Sequence, residues 1–302
     1  MRCTPADRQW HAPTTYTGNP MHTPPPQFSA ASPAPGVRTI ALMQPVHWLV
    51  LAWRDLLRCG WISLAHGLLL ALFGAALLVA AHNRFWLLAG AFSGFLVVAP
   101  VLATSLYALS RALERGEQAD ARVVLKTWLN WQNNNFNKWG NDYWCLVQFG
   151  ALLALAGTGW VLTSAALITL LAPVPINTPV DFIRHVVLAR NGFLFELWLA
   201  LGGVLAAPIF ASSVITIPLL LDRRLTLLRA VLTSWRAVLA NPLPMAFWAA
   251  LIMGLTLLGL GSALLGLTVV IPLLGHASWH AYRDLVDASA LPPRELLDQE
   301  AS

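Results

Sequence analysis

Six stretches of this chain are each long enough to cross a bilayer as a helix and carry almost no charge, and this feature constrains every other inference. A hydrocarbon core about 30 Å thick takes roughly 20 apolar residues in helix. Residues 61–81, 86–110, 144–171, 193–221, 243–260 and 263–282 meet that requirement. The last two share one apolar run, divided near Gly259-Leu260-Gly261-Ser262, where the glycine pair predicts a turn. Lipid offers the backbone no hydrogen-bond partners, so runs of this length must satisfy their own amides as helices. The fold class expected is therefore all-α, a polytopic membrane helix bundle of six transmembrane helices.

Composition agrees. Hydrophobic residues make up 57% of the chain and charged residues 11%, against about 25% charged in an ordinary soluble domain. A net charge of +5 in a soluble protein would suggest a nucleic-acid partner. Here the cations flank apolar runs, so the partner expected is the lipid bilayer with its anionic headgroups, and no nucleic acid. Other membrane proteins, or a second copy in a homo-oligomer, are the further partners such a bundle admits. Cys3, Cys59 and Cys145 are scattered, giving neither a disulfide framework nor a thiolate metal site.

Orientation follows from arginine and lysine. If alternate loops are assigned to one side, sixteen of the nineteen cations fall on the side shared by both termini. Translocating cationic loops is unfavourable, so both ends are expected in the cytoplasm of a multi-pass inner-membrane protein. The first 45 residues carry Pro5, Pro13, Pro20, Pro24, Pro25, Pro26, Pro33, Pro35 and Pro45 without apolar periodicity. They read as a disordered Pro-rich tail before a membrane domain over 46–286, with a short cytoplasmic tail over 287–302.

The even-numbered spans share a pattern: Gly94-x5-Pro100, Gly202-x5-Pro208 and Gly266-x5-Pro272, each followed by small and polar residues. Three cytoplasmic connectors are amphipathic at helical period. Val46, Leu49, Val50, Trp53, Leu56 and Leu57 make the first apolar face; Val124, Leu125, Trp128 and Leu129 the second; Leu225, Leu228, Leu232, Trp235 and Leu239 the third. Such helices lie in the interface plane with Trp and Arg at headgroup level. The chain thus reads as three pseudo-repeated units, each an interfacial helix followed by a two-span hairpin.

Candidate site residues come from these repeats. Pro100, Pro208 and Pro272 are candidate helix kinks. Thr104, Ser212 and His276, each four residues after its proline, form a candidate polar ring in the cytoplasmic half. The competing reading is local, because hydroxyls near a membrane proline bond the carbonyl it frees. His276 and His280, one turn apart, with His66 from the first span, are candidate metal or haem ligands; the alternative is headgroup anchoring beside Trp279, Tyr282 and Arg283. Glu196 lies inside an apolar run but near its end. Residues 131–144, WQNNNFNKWGNDYW, suit either ligand stacking or an aromatic belt. No Walker lysine loop, HExxH or recognisable Ser-His-Asp spacing is present, which disfavours a catalytic role. No cofactor is implied beyond the haem or metal that the histidines would suit.

Segments 217–252 and 266–286, above all Pro218-LLLDRR and Gly275-HASWHAYRDL, resemble a bacterial family of integral membrane proteins catalogued as a domain of unknown function. The resemblance runs from about Trp48 to Val286 and implies an inner-membrane protein of proteobacterial type. Some members of that family carry the label of a cytochrome c oxidase subunit, but these histidines do not match the oxidase pattern. The function expected is that of a non-enzymatic accessory, assembly or structural membrane protein. The alternatives are a passive transporter with a proline-kinked centre, or a haem- or metal-binding protein associated with a respiratory chain.

Overall fold

A computed structural model of the chain describes residues 35–80, 102–132, 144–176, 179–189 and 193–294. The tail before residue 35, most of the expected second span with Gly94 and Pro100, and the asparagine-rich 133–143 lie outside the described residues.

The architecture is all-α. In chain order the helices are α1 (Gln44–Cys59), α2 (Trp61–Ala80), α3 (within 102–114), α4 (Ala121–Gln132), α5 (Trp144–Leu171) and α6 (Pro179–Phe182). A π turn (Ile183–Val187) leads to α7 (Leu194–Ser213), α8 (Thr216–Asp222), α9 (Leu227–Ala240), α10 (Pro242–Gly261) and α11 (Leu267–Leu285). Local chemistry explains several boundaries. Pro45 and Pro242 open α1 and α10, where a missing N–H costs nothing. Asp120 caps α4 by accepting from the Arg122 and Val123 amides.

Among the described residues, four segments are long and apolar enough to cross a membrane: Trp61–Val79, Cys145–Leu171, Leu194–Asp222 and Pro242–Gly261. Helix α11, expected as the sixth span, is not among them. Its second half carries His276, Ser278, His280, Tyr282, Arg283 and Asp284. His276 and Tyr282 are buried and the others are partly covered, because α11 packs against α1, α2, α8 and α10. Contact with α2 is very close: a Cβ on Gly67 would sit 2.2 Å from the Thr268 carbonyl oxygen. Gly275 also packs closely, against the Leu106 side chain of α3.

The turn between α10 and α11 falls later than the glycine pair. Helix α10 runs through Gly261, and the reversal is made by Ala263 (φ 54°) and Leu264 (φ 70°). The glycines serve proximity instead, since a Cβ on Gly266 would meet Ser262 Oγ at 2.5 Å and Gly259 Cα at 3.0 Å. Helices α7 and α11 continue through Pro208 and Pro272. The fourth expected span breaks further on, at residues 214–215, between α7 and α8.

The amphipathic connectors turn much of their apolar stripes away from the bundle, as helices lying in the interface do. In α1 the buried residues are Pro45, Trp48, Ala52, Asp55, Leu56 and Cys59. Val46, Val50, Trp53 and Leu57, read as the apolar face, point outward, Leu57 being 65% exposed. Helix α9 repeats the arrangement, burying Ala230, Thr233, Ser234 and Ala237 while Leu228, Leu232 and Leu239 face out. In α4, Val124 and Thr127 are buried and Leu125 and Leu129 exposed. Apart from Trp48, Leu56 and Val124, the inward residues are mostly small or polar, and most of the large aliphatics are left outside.

Both chain ends of the domain are ordered further than composition suggests. Gly36–Val37 (β1) pairs antiparallel with Val286–Asp287 (β2). Asn241, between α9 and α10, accepts from the Ile40 amide and donates to the Arg38 carbonyl. The Arg294 amide donates to the Asp222 carbonyl, and Leu291 is buried. Pairing with the folded domain satisfies the backbone of residues 36–40 and 286–294, which a reading of composition alone assigns to tails.

Candidate functional site

The α1–α2 junction, the end of α3 and the end of α11 meet in a buried polar layer. Ser63, in the first turn of α2, is 0% exposed; so is His276. Ser63 Oγ lies 2.8 Å from His276 Nε2, and Ser110 Oγ lies 2.7 Å from His276 Nδ1. The Ser110 hydroxyl donates to Asp55 Oδ2 at 2.8 Å. His280 Nε2 sits 2.9 Å from the same carboxylate oxygen. Five side chains from four helices are thereby joined into one hydrogen-bonded chain.

Proton counting fixes its direction. A serine has one hydroxyl proton, and that of Ser110 goes to Asp55. Ser110 must then accept from His276, which places the imidazole proton on Nδ1. His276 Nε2 is left with a lone pair and accepts the Ser63 hydroxyl. At the far end Cys59 engages Ser63, and burial pushes its thiol up to about 11, so the sulfur stays protonated. Burial works to raise the Asp55 carboxyl as well, but the hydrogen bond and charge of His280, followed by the Ser110 hydroxyl, outweigh it and hold the group below its ordinary value.

His66 lies deeper in α2. Its Nδ1 donates to the Ile62 carbonyl and its Nε2 meets Ser105 Oγ, both at 2.8 Å. The Ser105 hydroxyl also points to the Leu102 carbonyl. A second set of carboxylates ties the same end of the bundle. Asp222 accepts from Tyr282 at 2.7 Å and Arg223 at 3.0 Å, with Arg111 at 3.9 Å. Glu114 holds Trp279 and Arg283, and Asp284 holds Gln44 and Trp48.

The residues singled out from sequence are distributed as follows. His276 and His280 both enter the layer, through Ser110 and Asp55. His66 occupies a separate pair with Ser105. Ser212 accepts from Trp235 Nε1 at 2.9 Å, a contact between α7 and α9, so it engages a different neighbour from His276. Thr104 is fully buried on α3. Glu196 lies in the first turn of α7, where a carboxylate suits the positive end of the helix dipole. Among the described residues no group of three His, Cys, Asp or Glu side chains is placed to hold a metal ion. Both ring nitrogens of His276 and of His66 are already committed to hydrogen bonds.

Asp55, Ser63, Ser110 and Asp222 escape sequence reasoning. Asp55 stands between Arg54 and two leucines in an amphipathic helix, a pattern that reads as a solvated face. Ser63 and His276 together place a hydroxyl on an imidazole base oriented through Ser110 toward a carboxylate, the arrangement that activates a nucleophile. Both residues are completely buried, and the hydrogen-bonded layer ties α1, α2, α3 and α11 to one another.

Comparison with known proteins places the central part of the chain. Residues 87–222 match the family described as "Predicted integral membrane protein (DUF2189)", a domain of unknown function. The match covers α3 to α8, with Ser105, Ser110, Arg111 and Asp222, and stops before Asp222's partner Tyr282. No curated protein and no solved structure matches the chain.

Proposed function

We propose that this chain, with a DUF2189 domain at its centre, is a non-enzymatic six-span protein of the bacterial inner membrane that associates with other membrane helices as an accessory or assembly protein. The observation that carries the reading is the state of α5. From residue 151 to 171 only Gly157 is buried. Leu155, Leu162 and Leu170 are 70%, 66% and 80% exposed. The helix also carries Ala151, Ala154, Gly157, Gly159, Ala165 and Ala166, and nothing lies within 4 Å of a Cβ built on Gly159. Small residues let helix backbones approach closely in lipid, so a long face of this kind suits a partner helix.

The topology proposed is N-in and C-in. It is supported by the cation distribution and by β1–β2, which brings the start and the end of the membrane domain to one side, as an even number of spans demands. The three-unit repeat draws support from the outward-facing aliphatic residues that α1, α4 and α9 share. The transport and haem readings draw less support, because His276 is enclosed and both its nitrogens are engaged.

The test is photo-crosslinking from Leu155 and Leu162 in intact cells, followed by purification in a mild detergent. Specific protein adducts at these two positions, absent from an equally exposed position on α10 such as Leu257, are expected. Adducts to lipid alone, with a solitary monomer after purification, would overturn the reading.

A further inference from the structure

An open groove runs along the outer face of α1 and is closed on one side by α11. Its walls are Val46, Leu49, Val50, Trp53 and Leu273, with Arg54 at the rim. The positions 46, 49, 50, 53 and 54 follow helical spacing, so the five α1 residues share one face. Leu57 extends the apolar side and Arg58, one turn beyond Arg54, extends the basic side.

The two arginines are the informative feature. Both are exposed, and neither forms an ion pair or hydrogen bond with any described residue. Like charges four residues apart on a helix repel, a small cost the chain could have removed with one carboxylate. The acid of this helix, Asp55, is instead turned inward to Ser110 and His280. The result is a cationic pair beside an apolar trough at the level of the bundle where Trp53 and the connecting helices mark the interface. An apolar trough takes hydrocarbon; two adjacent guanidinium groups take a phosphate in forked geometry.

We infer that the groove between α1 and Leu273 is a binding site for one anionic phospholipid, with an acyl chain along Val46, Val50 and Trp53 and the headgroup phosphate on Arg54 and Arg58. The site stands independently of any association through α5. Zwitterionic lipids also carry a phosphate, but their ammonium group opposes the arginine pair, so the preference is for a net negative headgroup.

Native mass spectrometry of the full chain, released from neutral detergent, tests this with phosphatidylglycerol, phosphatidylcholine and glycerol phosphate as probes. One phosphatidylglycerol per chain should persist under conditions that strip phosphatidylcholine. Arg54→Ala with Arg58→Ala should weaken its retention roughly thirtyfold, about fivefold for each surface cation removed. Val50→Trp, which fills the trough without touching charge, should weaken it as well. Equal retention of the two lipids would mean bulk annular lipid only, and tight binding of glycerol phosphate would mean a site for free phosphate; either result overturns the inference. Undiminished phosphatidylglycerol binding by the arginine double variant or by Val50→Trp does the same. Both variants alter exposed side chains, and an unchanged near-ultraviolet spectrum verifies their fold.

Discussion

His280 Nε2 and Asp55 Oδ2 lie 2.9 Å apart although 225 residues separate them in the chain. The pair joins the first helix of the domain to the last, and through Ser110 it also reaches α3. Helix α1 is therefore held to the bundle by a polar contact on its inner side, where Trp48 and Leu56 are also buried, while Val46, Val50, Trp53 and Leu57 face away from the protein.

The pair predicts a large cost for removing the acid. Asp55→Ala leaves His280 and Ser110 without their acceptor in a buried position, which costs about 3 kcal/mol or more. Asp55→Asn, which keeps the shape and one acceptor oxygen, should recover part of that loss. Thermal unfolding of the detergent-solubilised variants, followed by tryptophan fluorescence of Trp48 and Trp248, measures both. Equal stability of Asp55→Ala and wild type would mean that the contact contributes nothing.

The same carboxylate sets an acid limb. Its folded-state value lies below the ordinary 3.8, with burial opposed by the His280 and Ser110 interactions. A carboxyl depressed on folding adds stability that is present above its unfolded value and is lost as pH falls through its folded value. The melting temperature should therefore hold from neutrality to about pH 5 and drop below about pH 4. In Asp55→Asn this drop should be shallower. A steeper acid limb in the variant would assign the effect to other carboxylates.

Much of the bundle is legible in sequence because lipid as a solvent imposes a simple rule, and α2, α5, α7–α8 and α10 obey it. The rule fails where protein replaces lipid. Helix α11 looks like a weak final span because its second half is polar, yet that polarity is satisfied by Ser63, Ser110, Asp55 and Glu114 from elsewhere in the chain. Periodicity finds the stripes on α1, α4 and α9, and their outward exposure fits the interfacial placement read from them. The buried layer leaves no local trace: Asp55 flanked by arginine resembles a surface residue, and its partners lie 55 and 225 positions away.

Gly67 predicts a steric failure. Any side chain there meets the backbone of Thr268, with Cβ 2.2 Å from its oxygen and 2.6 Å from its carbonyl carbon. Backbone cannot rotate aside as a side chain tip can, so α2 and α11 must separate. Gly67→Val should reduce folded yield severely and expose the Ser63–His276 contact to water. Gly203→Val, at a glycine with nothing within 4 Å, is the matched control and should accumulate normally. Similar yields of the two variants in a fluorescence size-exclusion assay would show that α2 and α11 are not in such close contact.

Proton placement in the layer gives a spectroscopic prediction. With the Ser110 proton on Asp55, His276 carries its proton on Nδ1 and accepts at Nε2 from Ser63. Solid-state nitrogen NMR of the protein in lipid should show this tautomer, the less common one for a free imidazole. Ser110→Ala removes the constraint on Nδ1 and should shift His276 toward the Nε2–H form, with a stability loss of about 1–3 kcal/mol for the stranded groups. An Nε2–H signal already present in wild type would reverse the direction of the whole chain of bonds.

Cys59 provides a chemical reading of the same region. The thiolate is the species that alkylates, and burial pushes the Cys59 thiol up to about 11, with the Asp55 charge adding to the rise and Ser63 opposing it. In a Cys3→Ser, Cys145→Ser background, Cys59 should therefore resist maleimide at pH 8 for as long as the fold is intact. It should label rapidly once denaturant opens the helix junction. Asp55→Ala, by loosening α1 from α11, should increase labelling under native conditions, and removing the negative charge, which lowers the thiol's own value, acts in the same direction. A discriminating control is Asp55→Asn, which removes that charge with less disturbance of packing. If both variants label at the same increased rate, charge governs the reaction. If only Asp55→Ala does, access governs it, as the clamp between α1 and α11 requires.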